Sequence, residues 1–178
     1  IEKDLGGEEL SAAELTDGLR RGVVAGEITP VLVGSALQNI GTSRLLDAIK
    51  DYLPSPKVRP VDTIDAKQAV EQLEPSESSP LAALVFKTSA DPYVGKLTYL
   101  RDYNGTIESN SQVWNSTRGE VERLGQLFIL RGKTQEPVTQ LKAGDIGGVA
   151  KLNVTSTGDT LSTKENPVKI SPIQFPEP

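Results

Sequence analysis

Apolar residues recur at helical intervals near the start of the chain. Leu15, Leu19 and Val23 share one face of a helix, and the S-x-x-E pattern of a capping box begins at Ser11. These two signals together predict a helix from about Ala12 to Arg21.

A second apolar run leads into a second amphipathic stretch. Residues 28–33, "ITPVLV", are apolar and rich in β-branched side chains, which predicts a buried strand. Three small residues at 34–36 end the run, and from Thr42 to Leu53 the apolar positions share one helix face until Pro54 stops the pattern. Helix, strand, small-residue turn and helix are typical of an α/β fragment.

Strand-like runs dominate from Leu81 onwards. Turn signals such as Asn104-Gly105 and Thr157-Gly158-Asp159 separate short runs that show no helical periodicity. Such a pattern predicts an antiparallel β-barrel of about a hundred residues. The predicted strands cover residues 81–88, 94–103, 106–108, 112–115, 121–130, 146–152 and 168–173.

The two patterns divide the chain into two parts joined by a linker. Residues 58–79 carry prolines among serine and acidic residues, which indicates an interdomain connection, part of which could pair with the strands after it. We therefore predict an α/β domain fragment over 1–57, a linker over 58–79 and a barrel over 80–178. The expected fold class is mainly β.

Composition narrows the chemistry that the chain can perform. Its 178 residues include no Cys and no His, which excludes disulfides, thiolate metal sites and the commonest general base. No pair of carboxylates lies in a recognisable catalytic frame, so we assign no catalytic residue and no metal site. No apolar run approaches the roughly 18 residues that a membrane span needs, so we expect no membrane partner.

Charge is distributed unevenly along the chain. The net charge is −6 over residues 1–79 and +1 over residues 80–178, which together give the total of −5. The second part is therefore the better candidate to approach a polyanion.

Several stretches resemble translational GTPases, and elongation factor G in particular. The segment "PVLVGSALQNIGTSRLLDAIKDYLPSP" is similar to the end of the GTPase domain. The later segments "PLAALVFKTSADPYVGKLTYLRDYNGTI", "LKAGDIGGVAKL" and "TGDTL" are similar to the second domain of elongation factor G, in the same order and with matching gaps. The resemblance covers nearly the whole chain, and it implies a translation-factor β-barrel that follows the last strand and helix of a P-loop GTPase domain.

The resemblance also implies roles for particular residues. The backbone N–H of Ala36 would donate to the carbonyl that distinguishes guanine from adenine, with Gly34 and Ser35 shaping the turn. The barrel would contact ribosomal RNA of the small subunit and the remaining domains of the same factor, in the cytoplasm. The parent protein would be a GTPase that binds GTP or GDP with Mg²⁺ and drives translocation of tRNA and mRNA.

The chain departs from the GTPase pattern in one respect that decides its own activity. The phosphate loop G-x-x-x-x-G-K-[ST] and the base-binding N-K-x-D are absent, and the chain lacks the segment that holds the γ-phosphate-sensing D-x-x-G. We therefore expect neither GTP hydrolysis nor a bound cofactor in this chain, which would be a piece of a longer protein.

Candidates for RNA contact lie in the barrel part of the sequence. The nearest basic cluster runs from the hairpin "NSTRGEVER" to "LRGK", and residues two apart on a strand share a face, which would bring the last two cations together. Glu120 and Glu122 beside this cluster keep open the alternative that its charges are simply solvated. The four candidates are Arg118, Arg123, Arg131 and Lys133.

Two further interpretations stay open at this point. The acidic residues after "STRG" and the segment "LRGKTQEPVTQL" make the chain more similar to diverged elongation-factor-G-like paralogues than to the principal translocase. A β-barrel of this kind could also be an interaction module without any link to GTP, because a fold does not determine a function.

Trp114, the only Trp, alternates with Val113, which favours a place in the core or at the barrel mouth over stacking on a base.

Overall fold

The computed structural model of the protein describes residues 6–7, 9–56, 60–64, 70–91 and 95–171. Contacts between Cα atoms divide the chain into two compact units, residues 1–55 and residues 56–178. The first unit is helical, and the second is built from antiparallel strands.

The first unit contains both predicted helices. Helix α1 spans Ala12–Ala25, and its capping box is confirmed, because the N–H of Glu14 donates to Ser11 Oγ and the N–H of Ser11 donates to Glu14 Oε2. The helix runs four residues past the predicted end and stops at Gly26, which has a φ of 77°. Helix α2 spans Thr42–Tyr52, as predicted.

The buried strand predicted over residues 28–33 is wrong. These residues form no strand, and Val31 and Val33 are 87% and 93% exposed. A strand needs a neighbour to satisfy its backbone N–H and C=O groups, and no described strand pairs with this segment. The apolar pattern is therefore present without a sheet for it to join.

The second unit contains thirteen strands in the described residues. They are β1 (Val61–Ile64), β2 (Val70–Leu73), β3 (Ala82–Asp91), β4 (Gly95–Asn104), β5 (Thr106–Glu108), β6 (Gln112–Asn115), β7 (Glu120–Arg123), β8 (Leu127–Arg131), β9 (Thr134–Val138), β10 (Gln140–Lys142), β11 (Ile146–Ala150), β12 (Thr160–Ser162) and β13 (Lys169–Ile170). Strands β5 and β6 have the predicted bounds, and β3 and β4 pair with each other in a long antiparallel ladder.

Eight of these strands form one antiparallel sheet. Their order is β7-β6-β12-β3-β4-β11-β8-β9, and β5 pairs with β10 beside them. Residues from both sheets meet in one buried apolar cluster, which confirms the predicted mainly β, barrel-like fold. The cluster comprises Leu81, Ala83, Val85, Leu100, Ile107, Val113, Leu124, Leu127, Leu141, Val149, Leu152 and Leu161.

A small three-stranded sheet covers the outer side of β3. Its order is β13-β1-β2, so two strands lie within the segment interpreted as a linker and one of them pairs with the last strand of the barrel part. Ala82, Leu84 and Ile170 form the buried centre of this second apolar cluster, with Val61 and Leu73 packed against them.

Some strands differ from the prediction for identifiable reasons. The run predicted over 121–130 is two strands, β7 and β8, separated by residues 124–126. Strand β9 escaped prediction because it contains Pro137, which this position tolerates since β9 lies at the edge of the sheet. Strands β10 and β12, of three residues each, are also absent from the prediction. Residue 94 and residues 172–173 of the predicted strands lie outside the described residues.

Candidate functional site

The turn at Gly34, Ser35 and Ala36 is closed by two backbone hydrogen bonds. The N–H of Ser35 donates to the carbonyl of Ile40 at 2.9 Å, and the N–H of Ile40 donates back to Ser35 at 2.9 Å. A Cβ atom on Gly34 would lie 2.8 Å from the carbonyl oxygen of Ile40, so only glycine allows the chain to pass this closely. The turn is therefore a small backbone loop fixed by its own hydrogen bonds.

This turn borders an apolar pocket of ≈ 290 Å³ whose walls include Leu32, Ile40 and Leu45. The N–H of Ala36 has no acceptor among the described residues, so it is available to a ligand. A flat apolar ligand with a carbonyl at its edge would match this combination. The three residues that the sequence singled out do lie together, on one wall of this pocket.

Arg118 of the barrel is held by a buried carboxylate. Its Nε donates to Asp159 Oδ2 at 3.1 Å, and the Asp159 side chain is only 3% exposed. The same oxygen accepts from Asn115 Nδ2 at 3.0 Å and from the N–H of Ser156 at 2.9 Å. Burial alone would raise the pKa of Asp159, but these donors outweigh burial and hold the pKa below its usual value. Arg118 therefore supports the loops that it joins.

Glu122 is likewise part of the interior, and the expectation that it is a surface charge is wrong. It is 1% exposed, and its carboxylate accepts from the backbone N–H groups of Asn153, Val154 and Thr155 at 3.3, 2.8 and 2.9 Å. Burial acts to raise the pKa of Glu122, but these hydrogen bonds prevail and lower it. Glu122, although next to the basic cluster in sequence, therefore does not face solvent.

Arg131 and Lys133 do not share one face of a strand as predicted. Arg131 ends β8 and pairs with Thr134, which leaves Gly132 and Lys133 as a two-residue turn. Gly132 takes a φ of 57°, which suits the first central position of a II′ hairpin turn. The guanidinium of Arg131 lies 2.9 Å from Glu136 Oε2, whereas Lys133 has no ion pair among the described residues.

Arg123 is exposed at the end of β7 and borders a groove that also contains Lys151. The sequence alone does not identify Lys151, because it lies 28 positions after Arg123 and strands β8 to β11 come between them. Of the four predicted candidates, the structure thus leaves Arg123 and Lys133 exposed without an ion pair in the described part of the chain. The other two form ion pairs with acidic side chains.

Neither a metal cluster nor a membrane span occurs in the described residues. No group of three or more Asp or Glu side chains there could hold a metal ion. No helix among them has both the length and the apolar character needed to cross a membrane.

Comparison with known proteins identifies the barrel. Residues 80–164 match the family model of elongation factor G domain 2. The whole chain is also similar to a protein from Thermus thermophilus of known crystal structure, with 31% sequence identity and a TM-score of 0.68 over 93% of this chain. The match covers 22% of the Thermus protein, so the chain spans about a fifth of that relative's length. The chain is therefore elongation-factor-G-like and contains the second domain of that family in residues 80–164.

Proposed function

We propose that the chain is part of a ribosome-binding elongation factor that drives GTP-dependent translocation of tRNA and mRNA in the cytoplasm. The observation that carries the proposal is the match of residues 80–164 to elongation factor G domain 2. The charge distribution supports it, because the barrel part is net positive in an otherwise acidic chain. In this proposal the barrel contacts ribosomal RNA of the small subunit, and other domains of the same factor contact both units.

The first unit would supply one edge of the guanine site in the complete factor. The N–H of Ala36, which has no acceptor among the described residues, and the adjoining apolar pocket fit the edge of a purine ring. The sequence has no phosphate loop that would hold the phosphates of the nucleotide and its Mg²⁺. GTP or GDP with Mg²⁺ would therefore belong to the complete factor, and this chain alone would not hydrolyse GTP.

Two of the four cationic candidates remain well placed for RNA. Arg123 and Lys133 are exposed and have no ion pair among the described residues, whereas Arg118 is committed to Asp159. An arginine that neutralises a buried carboxylate has less to offer a phosphate, because both anions compete for the same donors.

Binding to isolated ribosomal subunits tests the proposal. The chain should bind small subunits saturably at low salt, and its affinity should fall as salt rises, because phosphate contacts release counterions. Large subunits at the same concentration are the control. Equal binding to both subunits, or no binding to small subunits at low salt, would refute the proposal and favour an interaction module of another kind.

A further inference from the structure

A groove of ≈ 450 Å³ lies beside the ends of β7 and β11, and we call it the basic groove. No acidic residue is found among the described residues that line it. In a chain with a net charge of −5, a concave surface with cations and no carboxylate favours an anionic ligand. The side chains that give the groove its character are Asn110, Arg123, Gln126, Phe128, Lys151 and Asn153.

The two cations of the basic groove are unusual in having no partner within the described part of the chain. Most other described cations of the second unit make an ion pair, a hydrogen bond or a contact with an aromatic ring. The described exceptions are Arg123, Lys133, Lys151 and Lys169, and two of these four line the one groove. Their charge is thus available to a ligand.

Two amide side chains extend this set of free donors. Asn110 and Asn153 are exposed, and their side chains make no hydrogen bond to the described residues. Gln126, by contrast, donates from Nε2 to the carbonyl of Val138 at 2.8 Å and helps to fix the groove wall. The groove therefore presents two cations and two neutral donors, a set suited to the oxygens of a phosphate group.

The backbone of the groove is held in an uncommon conformation at two positions. Asn110 and Lys151 both have a φ of 59°, in the left-handed region that few residues other than glycine and asparagine adopt. The N–H of Lys151 donates to the carbonyl of Lys96 at 2.9 Å, which fixes the chain there. A lysine at a position that glycine would occupy with less strain is a reason to look for a function of its side chain.

We propose that the basic groove binds the backbone of single-stranded RNA. Arg123 and Lys151 contact phosphate oxygens, Asn110 and Asn153 donate to the same oxygens or to ribose, and the partly buried ring of Phe128 lies against a base. A cationic groove with one aromatic ring is a common arrangement for sequence-tolerant RNA binding. The choice of RNA over other polyanions rests on the proposed function.

The test measures binding of a fluorescein-labelled uridine 12-mer by anisotropy across a salt series. Arg123→Gln and Lys151→Gly should each weaken binding and reduce the slope of log affinity against log salt by about 0.7. Lys169→Gln is the matched control, because it removes an exposed cation that lies outside the groove and has no ion pair in the described part of the chain. The affinity of this variant should stay within about twofold of that of the original chain, since only cations that contact phosphate release counterions.

Lys151→Gly separates loss of binding from loss of fold. Glycine adopts a positive φ without strain, so this variant should unfold at the same or a higher urea concentration than the original chain. Weaker RNA binding by a variant that is at least as stable supports the proposal. Unchanged binding in both groove variants, or an equal loss in Lys169→Gln, would overturn it.

Two further arms separate the possible failures. Inorganic phosphate that displaces the 12-mer at constant ionic strength and millimolar concentration would show a site for free phosphate, which would overturn the assignment to RNA. Binding of small ribosomal subunits that persists unchanged in both groove variants would overturn the groove while leaving the proposed function intact. If the original chain binds the 12-mer through the groove but binds no subunits, the groove stands and the proposed function fails.

Discussion

Asp102 is a carboxylic acid in the barrel interior that should make stability depend on pH. It is 0% exposed on β4, where the strand pairing with β3 shifts by one residue between Asp102 and Asn104. Oδ1 accepts from the N–H of Asn104 at 3.2 Å, whereas Oδ2 has no hydrogen-bond partner in the described part of the chain. An ionised carboxylate in this position lacks the donors that would replace water.

The pKa of Asp102 is raised from 3.8 to about 7. Burial is the largest cause, the Asn104 hydrogen bond opposes it, and the charge of Asp145 adds to the rise. The folded state therefore holds a proton that the unfolded state releases near its ordinary pKa. The stability linked to this proton is fully present below about pH 4 and is lost as pH rises to about 7. The span from 3.8 to about 7 corresponds to at most about 4 kcal/mol.

Asp102→Asn tests this directly. The variant keeps an acceptor for Asn104 but cannot ionise, so it should match the original chain near pH 4 and exceed it by up to about 4 kcal/mol at pH 8. Urea unfolding from pH 4 to 8.5, followed by the fluorescence of Trp114 on β6, reports the barrel because the chain has no other Trp.

A control isolates the neighbouring charge. Asp145→Asn keeps the oxygen that accepts from the N–H of Lys142, but it removes one cause of the raised Asp102 pKa. The pH at which stability falls should therefore move downwards in this variant. A difference between Asp102→Asn and the original chain that stays constant with pH, or a variant that is less stable at pH 8, would refute the reasoning.

Three other predictions concern stability and binding. Asp159→Ala should lower the free energy of unfolding, measured in urea, by about 3 kcal/mol or more, because it removes a buried acceptor of three hydrogen bonds. Arg118→Gln should lower it by about 1 kcal/mol, because its ion pair is half-exposed; equal losses in the two variants would contradict this reasoning. A chain starting at Pro56 should keep a cooperative thermal transition. One starting at Pro80 should melt at a lower temperature because it lacks β1 and β2, two of the three strands that cover β3; equal melting temperatures would mean that these two strands add no stability. Calorimetric titration with GDP and Mg²⁺ should show no micromolar binding, since phosphate contacts supply most of the affinity in such sites.

Local patterns predicted those elements whose partners are close in sequence. The capping box fixed the start of α1, and the turn at Asn104-Gly105 separates β4 from β5 as expected. The apolar run at 28–33 was misassigned because its pattern fits a strand while its exposure depends on a neighbouring strand. A continuous apolar run does not show whether a neighbouring strand is present.

The candidate site was harder to predict because it depends on contacts across the barrel. Glu122 reads as a surface charge in sequence, and only the approach of residues 153–155 makes it a buried acceptor. Lys151 joins Arg123 in one groove only after β7 and β11 are in place. Charge and spacing within a segment carry no information about such long-range neighbours, whereas the turn at 34–36 is local and was found.

The hydrogen bonds of Asp159 and Glu122 also bear on the kinetics of the barrel. They join residues 44, 41 and 33 positions apart, so the long loops between them must close before these bonds can form. We expect them to be absent from the folding transition state and to form after it. Weakening them would then speed unfolding and leave refolding nearly unchanged, so these two carboxylates determine the lifetime of the folded barrel and not the speed of its assembly.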